Sequence, residues 1–467
     1  MSLKFARATL ALTLFLVAGC ASRSGLMPAP GKVATFFHPG LTAPPGAHAP
    51  RYGLQALPTS PHLLGSAFLD ANPGNTKLNV APILAFDSQD DTYLAVWRNL
   101  ADGSLHGRIK DHFGQTQVPD FKVSAYGELK ENGKAVYLPW LNQFAVVYDT
   151  PYAIPWGLYF QRISSSGALV GSPVLVSAAS GERGEPDLAV DPIHHRVEVV
   201  WHDDRSGDFD VYGRLLTFNG NQTLFLTNET LIANSPPDPD NGYQSAHQSW
   251  PTIDFGTQQQ KYVVAWQDQR DETIDGDDVW ARVLDANGLP VTDQYVVSNL
   301  EGDQNEPSIA YLAASDKFLL AFTSANNGDT DTDMLASGLD GDGTVLGWGT
   351  IDNQLGNQNW PDVAANNASW TWLVGYVDDF NNQEADGDSR ILGRHVGWAF
   401  QLGDVFDISP LQPVFEDNLG IAANTDDQEF LVDYVRPCSG ISGAPVTPQI
   451  IACSNSDIEG QRVDRGY

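Results

Sequence analysis

Positive charge is scarce in this chain: 26 lysines and arginines stand against 58 aspartates and glutamates, a formal net charge of −32 over 467 residues. A surface so short of cations cannot neutralise a run of phosphates, which excludes nucleic acid as a partner. Cysteine is scarce as well, with three in the whole sequence. That number excludes a disulfide-dense scaffold, and the positions, 20, 438 and 453, exclude a Cys-x-x-Cys metal or redox pair. The uncharged apolar stretch from Ala8 to Ala18 is too short to span a bilayer as a permanent helix.

What that stretch does have is the layout of an export signal. Lys4 and Arg7 precede it, and Val17-Ala18-Gly19-Cys20 follows it. The last four residues resemble the lipobox of bacterial lipoproteins. The resemblance implies cleavage before Cys20, attachment of a diacylglyceryl group to its sulfur, palmitate as a lipid of the mature protein, and, with Ala21 and Ser22 next and no aspartate, an outer-membrane destination. The chain then divides into a signal peptide (1–19), a lipidated Pro/Gly/Ala-rich spacer (20–60) and the folded part (61–467). Removal of Lys4 and Arg7 takes the net charge from −32 to −34. Cys438 and Cys453, close in sequence in an exported protein, read as a disulfide. Closing a loop of that size stabilises by roughly 3 kcal/mol.

The folded part repeats. A short strand ending in an aromatic recurs as Tyr93–Trp97, Phe144–Tyr148, Val197–Trp201, Tyr262–Trp266, Phe318–Phe322, Trp372–Tyr376 and Phe430–Tyr434. Five copies carry a proline fifteen residues earlier: Pro82, Pro186, Pro251, Pro307 and Pro361. Two apolar runs joined by a polar turn lie between proline and aromatic. A third run follows with a recurring arginine (Arg108, Arg162, Arg214, Arg282, Arg394, Arg462), and a fourth ends near serine or aspartate. Four strands per unit and seven units predict an all-β, seven-bladed β-propeller. The seventh unit stops after its third strand at Arg462-Val463, so its fourth should come from the N-terminal segment around Ala67–Asp70, closing the ring.

Arg205-Ser206-Gly207-Asp208-Phe209-Asp210-Val211-Tyr212 resembles the repeat of TolB-type propellers. The Trp-x-Asp-x-Arg segments, Trp201 to Arg205 and Trp266 to Arg270, resemble those of repeat-built bacterial surface proteins. Both resemblances imply a scaffold. Asp340-Gly341-Asp342-Gly343-Thr344 departs from the sialidase Asp box in its spacing.

Because blade strands alternate in direction, the loops between second and third strands emerge on the same face as the loops between blades. Function is expected on this upper face. It gathers candidate ligand-binding residues Glu185, Asp203, Trp250, Asp268, Glu306, Trp360 and Asp378. The tryptophans read either as platforms for sugar rings or as plugs between blades. The repeated aspartates read either as ligands or as scaffold residues pairing with the neighbouring loop and a third-strand arginine. Asp275, Asp277, Asp329, Asp331, Asp333, Asp386 and Asp388 lie in dense acidic loops, which are either simply solvated or able to bind Ca²⁺, a hard cation that takes several oxygens.

The leading expectation is a lipid-anchored envelope module that binds a carbohydrate, peptide or protein. No nucleophile elbow, Walker loop or His-Glu-x-x-His helix is present. The alternative is an exported carbohydrate-active enzyme, a polysaccharide lyase or glycoside hydrolase, with His202, Tyr243 and His247 as acid–base groups and Arg205 and Arg270 facing a uronate. A third expectation is an envelope scaffold working through the edge of the disc.

Overall fold

The computed structural model describes residues 62–69, 79–129, 134–150, 157–177, 181–235, 246–270, 276–325, 331–379, 389–409, 417–437 and 456–466. The lipidation site Cys20 and the Cys438–Cys453 pair lie outside these residues. The described chain is entirely β, and no helix in it is long and apolar enough to cross a membrane.

Its strands form seven antiparallel blades in sequence order. The first strands are Asn79–Asp87, Ala135–Leu138, Arg183–Asp191, Gln248–Gly256, Gln304–Leu312, Asn357–Asn366 and Asp417–Asn424. These first strands touch their neighbours all the way round, blade seven returning to blade one, so the sheets form a closed ring about a central axis. Blade seven consists of Asp417–Asn424, Glu429–Pro437 and Ser456–Val463, and its outer strand is the N-terminal Leu63–Leu69. Leu63 pairs with Val463 and Leu69 with Glu459. The closing strand is thus where the missing fourth strand required it, beginning a few residues earlier than the Ala67 motif. Blade three departs from the four-strand pattern only in its outer strand, which is broken into Gln222–Phe225 and Thr230–Ala233.

The repeated aromatics close the seams. Trp97, Tyr148, Trp201, Trp266, Phe322, Tyr376 and Tyr434 are all buried, and the apolar side chains form seven clusters, each shared by two successive blades. Period-2 alternation produces this arrangement: within Val197–Trp201, Val197, Val199 and Trp201 pack towards blade two while Val200 packs towards blade four. Three of the third-strand arginines strap the seams at the rim, whereas Arg108 and Arg462 pair with Asp120 and Glu429 of their own blades. Arg214 donates to Val176 O, Arg282 to Ile232 O and Arg394 to Ile351 O, in each case the outer strand of the preceding blade.

Candidate functional site

Each prolyl repeat opens its first strand with a β-bulge. The ladder skips between Val80 and Ile83, Gly184 and Asp187, Ser249 and Thr252, Asn305 and Ser308, and Asn359 and Asp362, and blade seven does the same between Asp417 and Leu419. The bulged residue has a left-handed backbone in every case: Ala81, Glu185, Trp250, Glu306, Trp360 and Asn418, with φ of 49° to 57°. None is glycine, so the conformation costs each of them energy, and a bulge re-aims the side chain it carries. The frame is constant while the side chain changes from blade to blade. Four of the six, Glu185, Trp250, Glu306 and Trp360, are partly exposed and so presented at the upper mouth of the axis, while Ala81 and Asn418 are buried.

A second variable position lies beside it. The residue after each closing aromatic pairs with the start of the first strand: Val80 with Arg98, Glu128 with Asp149, Gly184 with His202, Ser249 with Gln267, and Asn305 with Thr323. The same position holds Val377 and Val435 in blades six and seven. Sequence reasoning singled out His202 here and missed Arg98, Glu128, Asp149, Gln267 and Thr323. Aligning the repeats on the aromatic and reading the next residue would have found four of them, since that position alternates between apolar and chemically active types. Glu128 lies in an interblade loop and carries no such mark.

Arg98, Glu128, Asp149, Glu185 and His202 form an acidic cluster across blades one to three. Arg98 bridges Glu128 at 2.5 Å. Burial, reinforced by Glu128 and Glu185, pushes the Asp149 carboxyl well above the usual range. His202 is buried, and a Cβ on Gly184 would sit 3.4 Å from its Nε2 and 3.6 Å from Asp149 Oδ2, so both groups face the same gap. His202 packs on Phe209 with the rings tilted, 4.3 Å between centroids, and His247 Nδ1 accepts the Phe209 N–H at 3.1 Å. Tyr243 lies outside the described residues.

Across blades four to six the mouth is aromatic. The rings of Trp250 and Trp360 meet, 5.5 Å between centroids and tilted by 56°, although blade five lies between their blades. Blade five contributes Glu306, whose Oε2 accepts from the Trp360 N–H at 2.9 Å and from Thr323 Oγ1 at 3.0 Å. Both tryptophans are half-buried, and Trp360 also packs on the seam between blades six and seven. They are therefore partly plugs, as one expectation had it, while each keeps an open portion beside a fixed carboxylate.

Below the mouth the axis is held by buried polar latches. Asp187 Oδ2 accepts from Thr252 Oγ1 and the Ile253 N–H of blade four, Asp254 from the Tyr311 N–H of blade five, and Asp362 from the Ile421 N–H of blade seven. Lys134, from the start of blade two, reaches across to Ile309 O and Ile253 O. Burial raises Asp254, and raises Asp362 to about 6, in both cases against the pull of Lys134.

The Trp-x-Asp-x-Arg segments are self-contained clamps. Trp201 Nε1 donates to Asp203 at 3.3 Å, and Arg205 binds the same carboxylate through Nε and Nη2 at 2.8 and 2.6 Å while lying over Tyr212. Trp266, Asp268, Arg270 and Trp280 repeat it. The aspartates thus pair with an arginine of their own loop, whereas the third-strand arginines, expected as their partners, reach the preceding blade instead. Local geometry decides this, since two residues of turn bring the guanidinium back over the carboxylate as a bidentate fork. Burial pushes Asp203 upward, but the donors from Arg205 hold it below the usual range. Asp378 is also buried, clamped by Arg390 of its blade's third strand at 2.8 Å and by Gln358 at 2.9 Å.

Of the acidic-loop residues, Asp275, Asp329, Asp386 and Asp388 lie outside the described residues. Asp277 and Asp331 are buried, Asp277 accepting from Gln267 and Gln269 and Asp331 from the Gly356 N–H. Neither they nor Asp333 belongs to a group of three potential metal ligands among the described residues.

No protein-family model and no curated protein matches the chain. Solved structures with a similar fold include a protein of unknown function from Dyadobacter fermentans (11% identity, covering 87% of this chain and 100% of that one, TM-score 0.47). Others are an α-L-arabinofuranosidase from Fusarium graminearum bound to an iminosugar inhibitor (12%, 86% and 98%, 0.44) and TolB from Acinetobacter baumannii (12%, 68% and 66%, 0.37). At these identities and TM-scores the likeness carries no argument about function, and the fold stands on the strand order alone.

Proposed function

We propose that the chain is an exported lipoprotein, anchored through Cys20 at the outer membrane, whose propeller binds a carbohydrate without negative charge at the upper mouth of the axis. The observation that carries this reading is the meeting of Trp250 and Trp360 over blade five beside Glu306. Flat rings stack on the apolar faces of sugars, and a fixed carboxylate accepts from their hydroxyls. Glu128 and Glu185 on the far side of the mouth disfavour polyanions, and Arg98 is already paired with Glu128. A glycan array tests the proposal. The wild type should retain neutral oligosaccharides, and W250A and W360A should each weaken retention at least tenfold while remaining folded. Retention unchanged in both variants, or of uronate polymers alone, contradicts it. For the anchor, C20S should move the protein from the membrane to the soluble fraction.

A second reading, glycoside hydrolysis, has one specific observation in its favour. Burial and two neighbouring carboxyl groups push the Asp149 carboxyl well above the usual range, and a carboxyl raised in this way beside a second one is what acid-catalysed glycoside cleavage uses. The lyase form is disfavoured because Arg205 and Arg270 are clamped by Asp203 and Asp268. New reducing ends released from an array-positive oligosaccharide, and lost in D149N, would establish hydrolysis.

A further inference from the structure

On the opposite face, where the two ends of the ring meet, three potential metal ligands from distant parts of the sequence converge. His62 precedes the N-terminal closing strand, Asp464 follows the last strand of blade seven, and His395 projects from the third strand of blade six. One ligand atom from each lies within 4.8 Å of the other two. His62 Nδ1 is 2.9 Å from Asp464 Oδ1, and His395 Nε2 is 3.5 Å from the same oxygen. Tetrahedral coordination with nitrogen and oxygen ligands at 2.0–2.1 Å separates donor atoms by about 3.4 Å, so the spacing is already close to that of a bound ion.

The buried imidazole is the independent sign. His395 is 1% exposed, yet neither ring nitrogen has a partner in hydrogen-bonding geometry, Nε2 coming no nearer to Asp464 Oδ1 than 3.5 Å. A buried polar group left in that state is costly unless a ligand completes it. The ring is held in place by Phe406, stacked at 5.3 Å, by Phe430 at 5.8 Å, and by Gly466, where a Cβ would collide with it.

We propose that His62, His395 and Asp464 bind one zinc-type divalent cation, with water as the fourth ligand, pinning both ends of the ring to blade six. Two imidazoles and one carboxylate favour Zn²⁺ over Ca²⁺ or Mg²⁺, which prefer all-oxygen shells. Metal binding replaces the His62–Asp464 hydrogen bond and requires no redox change. The site lies across the disc from the proposed carbohydrate mouth and does not depend on it.

The test is titration of the chelator-treated full chain with Zn²⁺ by calorimetry and with Co²⁺ by visible absorption. Expected are one equivalent bound, a tetrahedral Co²⁺ spectrum without a thiolate charge-transfer band, and a thermal midpoint raised by several degrees at saturation. H62Q and H395F should each weaken binding at least tenfold. H62Q alters a partly exposed side chain and serves if H395F fails to fold. H112N should leave binding unchanged, because His112 belongs to the other potential ligand group, with Asp91 and Asp427. No bound metal, a thiolate band, affinity unchanged in H62Q, or affinity lost in H112N would each overturn the assignment.

Discussion

At the scale of the residue, the chain places acids where water cannot reach them, and their protons should govern its response to pH. Asp362 is the sharpest case, buried on the axis with its carboxyl raised to about 6 from 3.8. A folded pKa above the unfolded one adds stability in full below pH 3.8 and loses it as pH rises through 6. The shift is worth on the order of 3 kcal/mol between pH 4 and pH 7. Glu198, fully buried with neither oxygen hydrogen-bonded, moves in the same direction through burial and Asp285. Urea unfolding at pH 4, 5, 6 and 7 should therefore show stability falling across this window in the wild type and a shallower fall in D362N. Asp464, lowered to about 2, acts with the opposite sign and only in more acid solution. Much of the site was legible at this scale and part of it was not. Fixed prolines marked Glu185, Trp250, Glu306 and Trp360, though not the left-handed backbone that presents them. Asp149 went unnoticed because Tyr148-Asp149-Thr150 lacks the Trp-x-Asp pattern that drew attention to blades three and four.

At the scale of the element, repetition marks structure and variation marks the site. The Trp-x-Asp-x-Arg clamp and the third-strand arginine both recur, and both proved to be fasteners. Their partners could not be assigned from spacing, because a propeller brings third-strand residues to the preceding blade as readily as to their own loop. Arg282 donates through Nε to Thr292 O at 2.8 Å and through Nη1 to Ile232 O at 2.7 Å, joining blade four to blade three. Charge-assisted hydrogen bonds of this kind contribute about 2 kcal/mol to stability. R282M, which keeps most of the stem and removes the donors, should lower unfolding stability by about that amount in chemical denaturation while leaving carbohydrate retention at the mouth intact. A loss of retention without a loss of stability would mean that the strap belongs to the site.

At the scale of the whole molecule, closure is the organising event. The last blade takes its outer strand from the N-terminal segment, and Gly420 of blade seven lies so close to Pro82 O of blade one that a Cβ would come within 2.4 Å. Seven seams of equal kind leave the axis as the place where, among the described residues, side chains from non-neighbouring blades meet, and there Trp250 touches Trp360 and Lys134 crosses from blade two to blades four and five. The ring was legible because its period is carried by large apolar residues; the identity of what meets at the axis was not, because it depends on how far each bulge turns its side chain. Hydrogen exchange on the full chain, with and without a retained neutral oligosaccharide, tests the central claim most directly. Protection should appear in 183–185, 248–251, 304–307 and 357–361, the strands that open onto the mouth, and not in the turns of the opposite face such as 192–195 and 367–370. Protection confined to the opposite face or to the outer strands, with the mouth unchanged, would contradict it.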